Sequence, residues 1–172
     1  DNLGIAYRFS GTMEDITGKN MYRQTLAESE RNLRSLVEQA PVAMCVLKGP
    51  QHTVEILNEK MVRLWGKDRD EVMFRPMFEA LPEAKQQGLE ELLDRVYTTG
   101  ERFTAQERPV QLPRGNTMKT VYQNFVYEPL MGNDGSVEGV IAVTIDVTEQ
   151  VIARKELEEA EERARIATEA AN

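Results

Sequence analysis

Residues 15–40 of this chain recur, in spacing and partly in identity, at residues 146–171, an offset of 131. Asp15, Thr17, Arg23, Leu26, Glu28, Glu30, Arg34, Glu38 and Ala40 fall on Asp146, Thr148, Arg154, Leu157, Glu159, Glu161, Arg165, Glu169 and Ala171. Helical sequences rich in Glu and Arg inflate matches of this kind, but the apolar spacing coincides as well. Tyr22, Leu26, Ser29, Leu33, Leu36 and Ala40 step by 4, 3, 4, 3, 4, and so do Ala153, Leu157, Ala160, Ala164, Ala167 and Ala171. Both are heptad seams in one register, the pattern of helices that pair. The large residues of these seams, Leu26, Leu33, Leu36 and Leu157, are the expected contacts of a homodimer. A seam on either side of one unit predicts a tandem array. Residues 1–17 then form the last strand of an upstream unit, 18–40 a linker helix, 41–148 one complete domain, and 149–172 an outgoing helix. On this reading both ends of the chain fall inside a longer array.

Within the complete unit the period changes. Val42 to Leu47 is a short apolar run closed by Gly49-Pro50, and His52 to Leu57 alternates, which predicts two strands joined as a hairpin. Asn58 is placed to cap a short helix through Met61, Val62 and Trp65, with Gly66 as its stop. Leu89, Leu92, Leu93, Val96 and Tyr97 follow i, i+3, i+4, i+7, i+8 between Gly88 and Gly100, a well-marked helix. Three strand-like stretches follow, 102–112, 118–131 and 137–146, separated by Pro113-Arg114-Gly115-Asn116 and Gly132-Asn133-Asp134-Gly135. Two tight turns predict an antiparallel meander. Strands, then helices, then strands amount to an α+β unit, a sheet covered on one face by the middle helices. The 172 residues, 41% apolar, suffice for one core of ordinary size but hardly two.

Charge and residue usage exclude several functions. A net charge of -8, from 29 acids against 21 bases, opposes general affinity for nucleic acid or anionic membrane. One cysteine, Cys45, permits no intramolecular disulfide and builds no zinc site alone, which fits the reducing cytoplasm. No apolar run approaches the roughly 20 residues needed to span a bilayer, and Asp1 to Ser10 lacks the pattern of a signal peptide. No serine or cysteine is paired with a histidine, no glycine loop suits a phosphate, and no second histidine assists His52 at a metal. Glu90-Glu91 and the acidic run from Glu156 to Glu162 read as solvated helix faces, with Glu159–Arg163 and Glu161–Arg165 as supporting i,i+4 pairs. The expectation is a non-catalytic chain without a metal.

These residues also carry a family resemblance. The stretch from 34 to 148 resembles a Per-Arnt-Sim (PAS) sensor domain of the kind found in tandem in bacterial signalling kinases. The matching features are Leu-Val-Glu-Gln-Ala-Pro before the first strand, Glu-Ile-Leu-Asn-Glu leading into a helix that ends Leu64-Trp65-Gly66, and Phe78-Glu-Ala-Leu-Pro82. They continue with Phe125-Val-Tyr-Glu-Pro-Leu130 and, most specifically, with residues 139–150, whose Asp146-Val147-Thr148 resembles the Asp-Ile-Thr ending of such domains. Asp15-Ile16-Thr17 resembles it too. Phe74 departs from the pattern, standing where the family commonly has glycine before a Lys/Arg-Pro pair; either the local turn differs or Phe74 reaches into the cavity.

The resemblance implies a five-stranded antiparallel sheet with short helices over one face, enclosing a pocket, and long helices at either end. Candidate pocket residues are Met44, Ile56, Met61, Trp65, Met73, Met77, Phe78, Leu92, Val96, Tyr122, Asn124, Ile141 and Val143. Strand 121–128 has polar residues in both phases, so its own pattern leaves its facing open. The family's covalent flavin chemistry needs a cysteine after the first helix, and its haem proteins commonly use a histidine on the long pocket helix. Neither residue is present, so no haem or covalent flavin is expected and an unidentified small molecule is the conceivable ligand. His52, after Gly49-Pro50, reads as a solvated loop residue, and Cys45 as buried core. Asp15, Thr17, Asp146 and Thr148 are the expected signal junctions: Asp146 as a helix cap, or also as partner of a base such as Arg154. The implied function is a cytoplasmic sensory and relay domain in a two-component protein, a sensor histidine kinase, sensing a small molecule and acting through coiled-coil helices. The alternative is a ligand-free dimerisation and transmission spacer. The expected partners are a second copy and neighbouring PAS or kinase domains.

Overall fold

The structure is a computed structural model that describes the backbone of residues 3–172 and the side chains of residues 17–172. It divides into two units, Asp1–Gln39 and Ala40–Asn172. In the first, α1 (Leu3–Gln39) is one continuous helix. The strand expected over residues 1–17 is therefore corrected from residue 3 onward, and residues 1 and 2 lie outside the described ones. A strand needs neighbours for its backbone groups, whereas a helix closes its own hydrogen bonds. No strand pairs with this segment among the described residues. Asp15 lies outside the described side chains, and Thr17 sits within α1 rather than at a strand-to-helix joint.

The second unit holds a five-stranded antiparallel sheet built from β1 (Ala43–Lys48), β2 (Thr53–Leu57), β3 (Phe103–Arg114), β4 (Thr117–Met131) and β5 (Val137–Asp146), in the order β2-β1-β5-β4-β3. The three C-terminal strands form the meander that their turns predict, and β1 joins its open edge against β5. That closure brings β1 and β5 very near at Gly139, where an added Cβ would stand 2.2 Å from the Leu47 carbonyl oxygen.

Between the hairpin and the meander lie α2 (Glu59–Trp65), α3 (Arg69–Val72), α4 (Met77–Ala80), α5 (Pro82–Lys85) and α6 (Leu89–Thr99). Asn58 caps α2 as its sequence position predicts, its Oδ1 accepting from the Met61 amide at 3.0 Å. The same oxygen accepts from Met44 N and the amide nitrogen donates to the Val42 carbonyl, so one buried side chain ties α2 to β1. Gly66 ends α2 in the left-handed conformation, at φ 67°. Leu89, Leu93 and Val96 turn the apolar stripe of α6 into the core, where Cys45, Leu47, Val110, Phe125, Tyr127 and Ala142 meet it from the sheet. The chain leaves through α7 (Thr148–Ala171). Among the described residues no helix is long and apolar enough to cross a membrane.

Phe74 stands in the left-handed conformation, at φ 59°, and its side chain is 70% exposed. The ring lies outside the core and does not reach into the cavity, and the backbone adopts a conformation open to glycine without strain. Its amide donates to the Val54 carbonyl at 2.8 Å, which fixes the conformation.

Candidate functional site

The space between the sheet and α2–α6 is lined by Met61, Trp65 and Met77, all expected there, together with Leu47, Leu81, Leu89, Val110, Leu112, Gln123, Tyr127, Ala142 and Thr144. Its volume is about 20 Å³, room for a single water molecule. Gln123 and Thr144 are its buried polar residues, and among the described residues neither side chain makes a hydrogen bond. Burial raises the Tyr127 phenol, so the wall carries no ionised group at neutral pH, and in the surrounding core it pushes the Cys45 thiol up to about 12. Phe78 and Val96 are buried in the same core and Leu92 and Met73 pack at its margin, but none of the four lines the cavity.

The remaining candidates occupy the other face of the sheet. Met44, Val143 and Val126 are directly paired across three strands, as are Cys45, Ala142 and Tyr127 one position along. The second row belongs to the core cluster and the first does not. Tyr122 and Asn124 share the phase of Val126, and Ile141 that of Val143, so all of these point away from the cavity. Because side chains alternate with a period of two, a one-residue error of phase moves a whole set together. Ile56 has a separate cause. In β2 Glu55 is an extra residue between the partners of Val46 and Leu47, a bulge that leaves Val54 inward and turns Ile56 outward beside Val46.

His52 is not a loop residue in solvent. It is 1% exposed, and its ring stands edge-on to Phe78 and Tyr97 with Nε2 2.7 Å from Asp94 Oδ1 on α6. A backbone at φ 53° carries the ring inward from the turn. Its phase with Val54 was the sequence signal for burial. Among the described residues no group of His, Cys, Asp and Glu could hold a metal ion.

The β5–α7 joint is closely bonded. Asp146 Oδ1 accepts from the Thr148 amide at 2.9 Å and from its hydroxyl at 2.5 Å, while Thr148 Oγ1 accepts from the Tyr122 amide at 2.9 Å. The Val147 amide donates to the Tyr122 carbonyl at 2.8 Å, so both backbone groups of Tyr122 are held by the joint. Lys155 lies 4.6 Å from the centre of the Tyr122 ring and donates to its hydroxyl at 3.0 Å. The base expected beside Asp146 is engaged elsewhere: Arg154 makes a two-pronged pair with Glu107 at 2.6 and 2.8 Å. The Arg154 guanidinium holds the Glu107 carboxyl below the usual glutamate range. Glu107 reaches it because β3 bulges there, with Glu107 at φ 50° and its amide donating to Asn124 Oδ1 at 2.7 Å. Nothing local in the sequence marks this contact, since its partners are 47 residues apart. Farther along α7, Arg165 pairs with Glu162 rather than Glu161.

Comparison with known proteins gives a consistent result. The family model described as "PAS fold" matches residues 37–152, more than half of the chain. An RNA-binding light-oxygen-voltage receptor is 21% identical with a TM-score of 0.60 over 83% of this chain, which spans 39% of that receptor. The PAS domain of BvgS from Bordetella pertussis is 23% identical with a TM-score of 0.58, over 79% of this chain and 98% of that one. A PAS domain from Colwellia psychrerythraea is 13% identical with a TM-score of 0.53, over 69% and 97%.

Proposed function

Because this chain belongs to the PAS-fold family, we propose that it is a non-catalytic sensory relay module of a bacterial sensor histidine kinase, whose output leaves through the β5–α7 joint. The observation that carries this reading is the double hold on Tyr122. Its backbone is bonded to Val147 and Thr148, and its side chain to Lys155. A shift of β4 relative to β5 therefore moves the start of α7, and a helix carries such a displacement to the next domain. The interior, at about 20 Å³, is filled by the domain's own side chains, which favours relay of a signal received elsewhere. Pairing of two copies through the helical seams is supported by exposures of 46% at Leu26, 71% at Leu36 and 60% at Leu157, while Leu33 is half-buried. The relay is tested by autophosphorylation of the full-length protein carrying Thr148→Val. The substitution removes the bond to Tyr122 and lowers stimulated output; unchanged output rejects the junction as the route.

A second reading, a small molecule held in the interior, is favoured by one observation. Met61 and Met77 line the cavity beside the unbonded Gln123 amide, and unbranched thioethers repack readily around a guest. Native mass spectrometry of the purified chain separates the two: a retained small molecule supports sensing inside the core, and the bare mass supports relay.

A further inference from the structure

A larger cleft lies beside the joint, at the end of the sheet. It has a volume of about 300 Å³, at the lower end of the range for small-molecule sites. Lys60 and Arg63 enter it from α2 and Arg114 from β3, while Leu64 and Ile145 supply apolar surface and Asp146 stands at its edge. Three cations against one carboxylate run opposite to a chain of net charge -8, so overall composition does not account for the local sign.

The three cations are not equivalent. Arg114 is fixed in place: Nη1 donates to the Pro113 carbonyl and Nη2 to the Leu64 carbonyl, both at 2.8 Å. That close approach depends on Gly66, where an added Cβ would meet Pro113 O at 2.5 Å and Arg114 Nη1 at 2.8 Å. A guanidinium already held in place loses little freedom when a ligand arrives, and its unused N–H donors are left for an acceptor. Lys60 has no hydrogen bond or ion pair among the described residues, and Arg63 has only Glu59 at 3.9 Å. The Asp146 carboxylate is partly occupied, since one of its oxygens takes both bonds from Thr148.

We propose that this cleft binds a small organic anion, a carboxylate or phosphate-ester headgroup set against Lys60, Arg63 and Arg114 on a short apolar body lying over Leu64 and Ile145. Ile145 and Asp146 end β5 and lead directly into α7, so an occupant acts on the joint without entering the core. It does so to the extent that it prefers one arrangement of the joint over another.

The test is a titration of the ¹⁵N-labelled chain with hexanoate, and separately with inorganic phosphate, followed by amide chemical shifts. Hexanoate should give saturable shifts centred on Lys60, Arg63, Thr144 and Asp146, and phosphate weaker ones at the same residues. Lys60→Glu with Arg63→Glu should weaken hexanoate at least tenfold while leaving the melting temperature unchanged, because both side chains are exposed. Absence of saturable shifts, shifts centred on Leu93 and Tyr127 in the core, or full binding by the double variant would overturn the proposal. Phosphate binding as tightly as hexanoate would overturn the assigned apolar body and with it the ligand class.

Discussion

Phe74 offers a substitution that should stabilise the domain by removing a large apolar side chain. A non-glycine residue in the left-handed region costs about 1–2 kcal/mol, and Phe74 is held there at φ 59° by the hydrogen bond its amide donates to the Val54 carbonyl. With 70% of the residue exposed, its ring returns little of that cost through burial. Phe74→Gly relieves the strain but gives the unfolded chain more freedom, a loss of about 0.4–1 kcal/mol. The two ranges differ by about 0–1.6 kcal/mol, centred near 0.8 kcal/mol, and a gain of that central size raises the melting temperature of a chain of this length by about 2–3 °C. Phe74→Ala keeps the Cβ and hence the strain, so it should give no gain. Urea unfolding of the three proteins is the assay, with an unchanged slope showing that the midpoint shift reports stability. If Phe74→Gly lowers stability by more than about 1 kcal/mol, the turn is not strained in the way described, or the ring makes a contact its exposure does not show.

Other outcomes follow from the same structure. Gly139→Ala places a Cβ against the Leu47 carbonyl and should cost about 1–3 kcal/mol as overpacking, measured by thermal unfolding. Glu107 is held below the usual glutamate range, so its pairing with Arg154 is fully present above that range and is lost as pH falls through the lowered value. Hydrogen exchange over the first turns of α7 should therefore accelerate on acidification in the wild type and be less pH-dependent in Glu107→Gln. The purified protein should be colourless, since no histidine stands on α6 and Cys45 is fully buried in β1. An absorption band in the haem or flavin region that survives dialysis would contradict this.

The elements were legible where a local rule decides them. Asn58 and Gly66 bound α2, Gly88 and Gly100 bound α6, and the two glycine-containing turns set the meander, each readable within a few residues. Facing was less legible. β4 has Gln123 in one phase and Asn124 in the other, and only pairing with β5 decides that Gln123 lines the cavity. The bulge at Glu55 reverses β2 without any glycine to announce it. The joint was half legible: the repeated Asp-x-Thr pointed to Asp146 and Thr148, but the bond from Tyr122 and the Glu107–Arg154 pair depend on strand order and a second bulge. His52 shows the limit of a turn motif, because Gly49-Pro50 locates the turn and says nothing of which way the next side chain points.

The sheet and the outgoing helix are joined through Tyr122, Thr148 and the Glu107–Arg154 pair. The most direct test of this coupling is amide hydrogen exchange on the intact chain, comparing the wild type with Thr148→Val, Arg154→Gln and the double variant. Exchange should quicken only over 121–123 and 147–155, with unchanged protection in α6 and β1 and less than additive effects in the double variant, since both contacts hold one joint. Wild-type protection at the start of α7 in all three variants would contradict it, as would a uniform loss across the whole sheet.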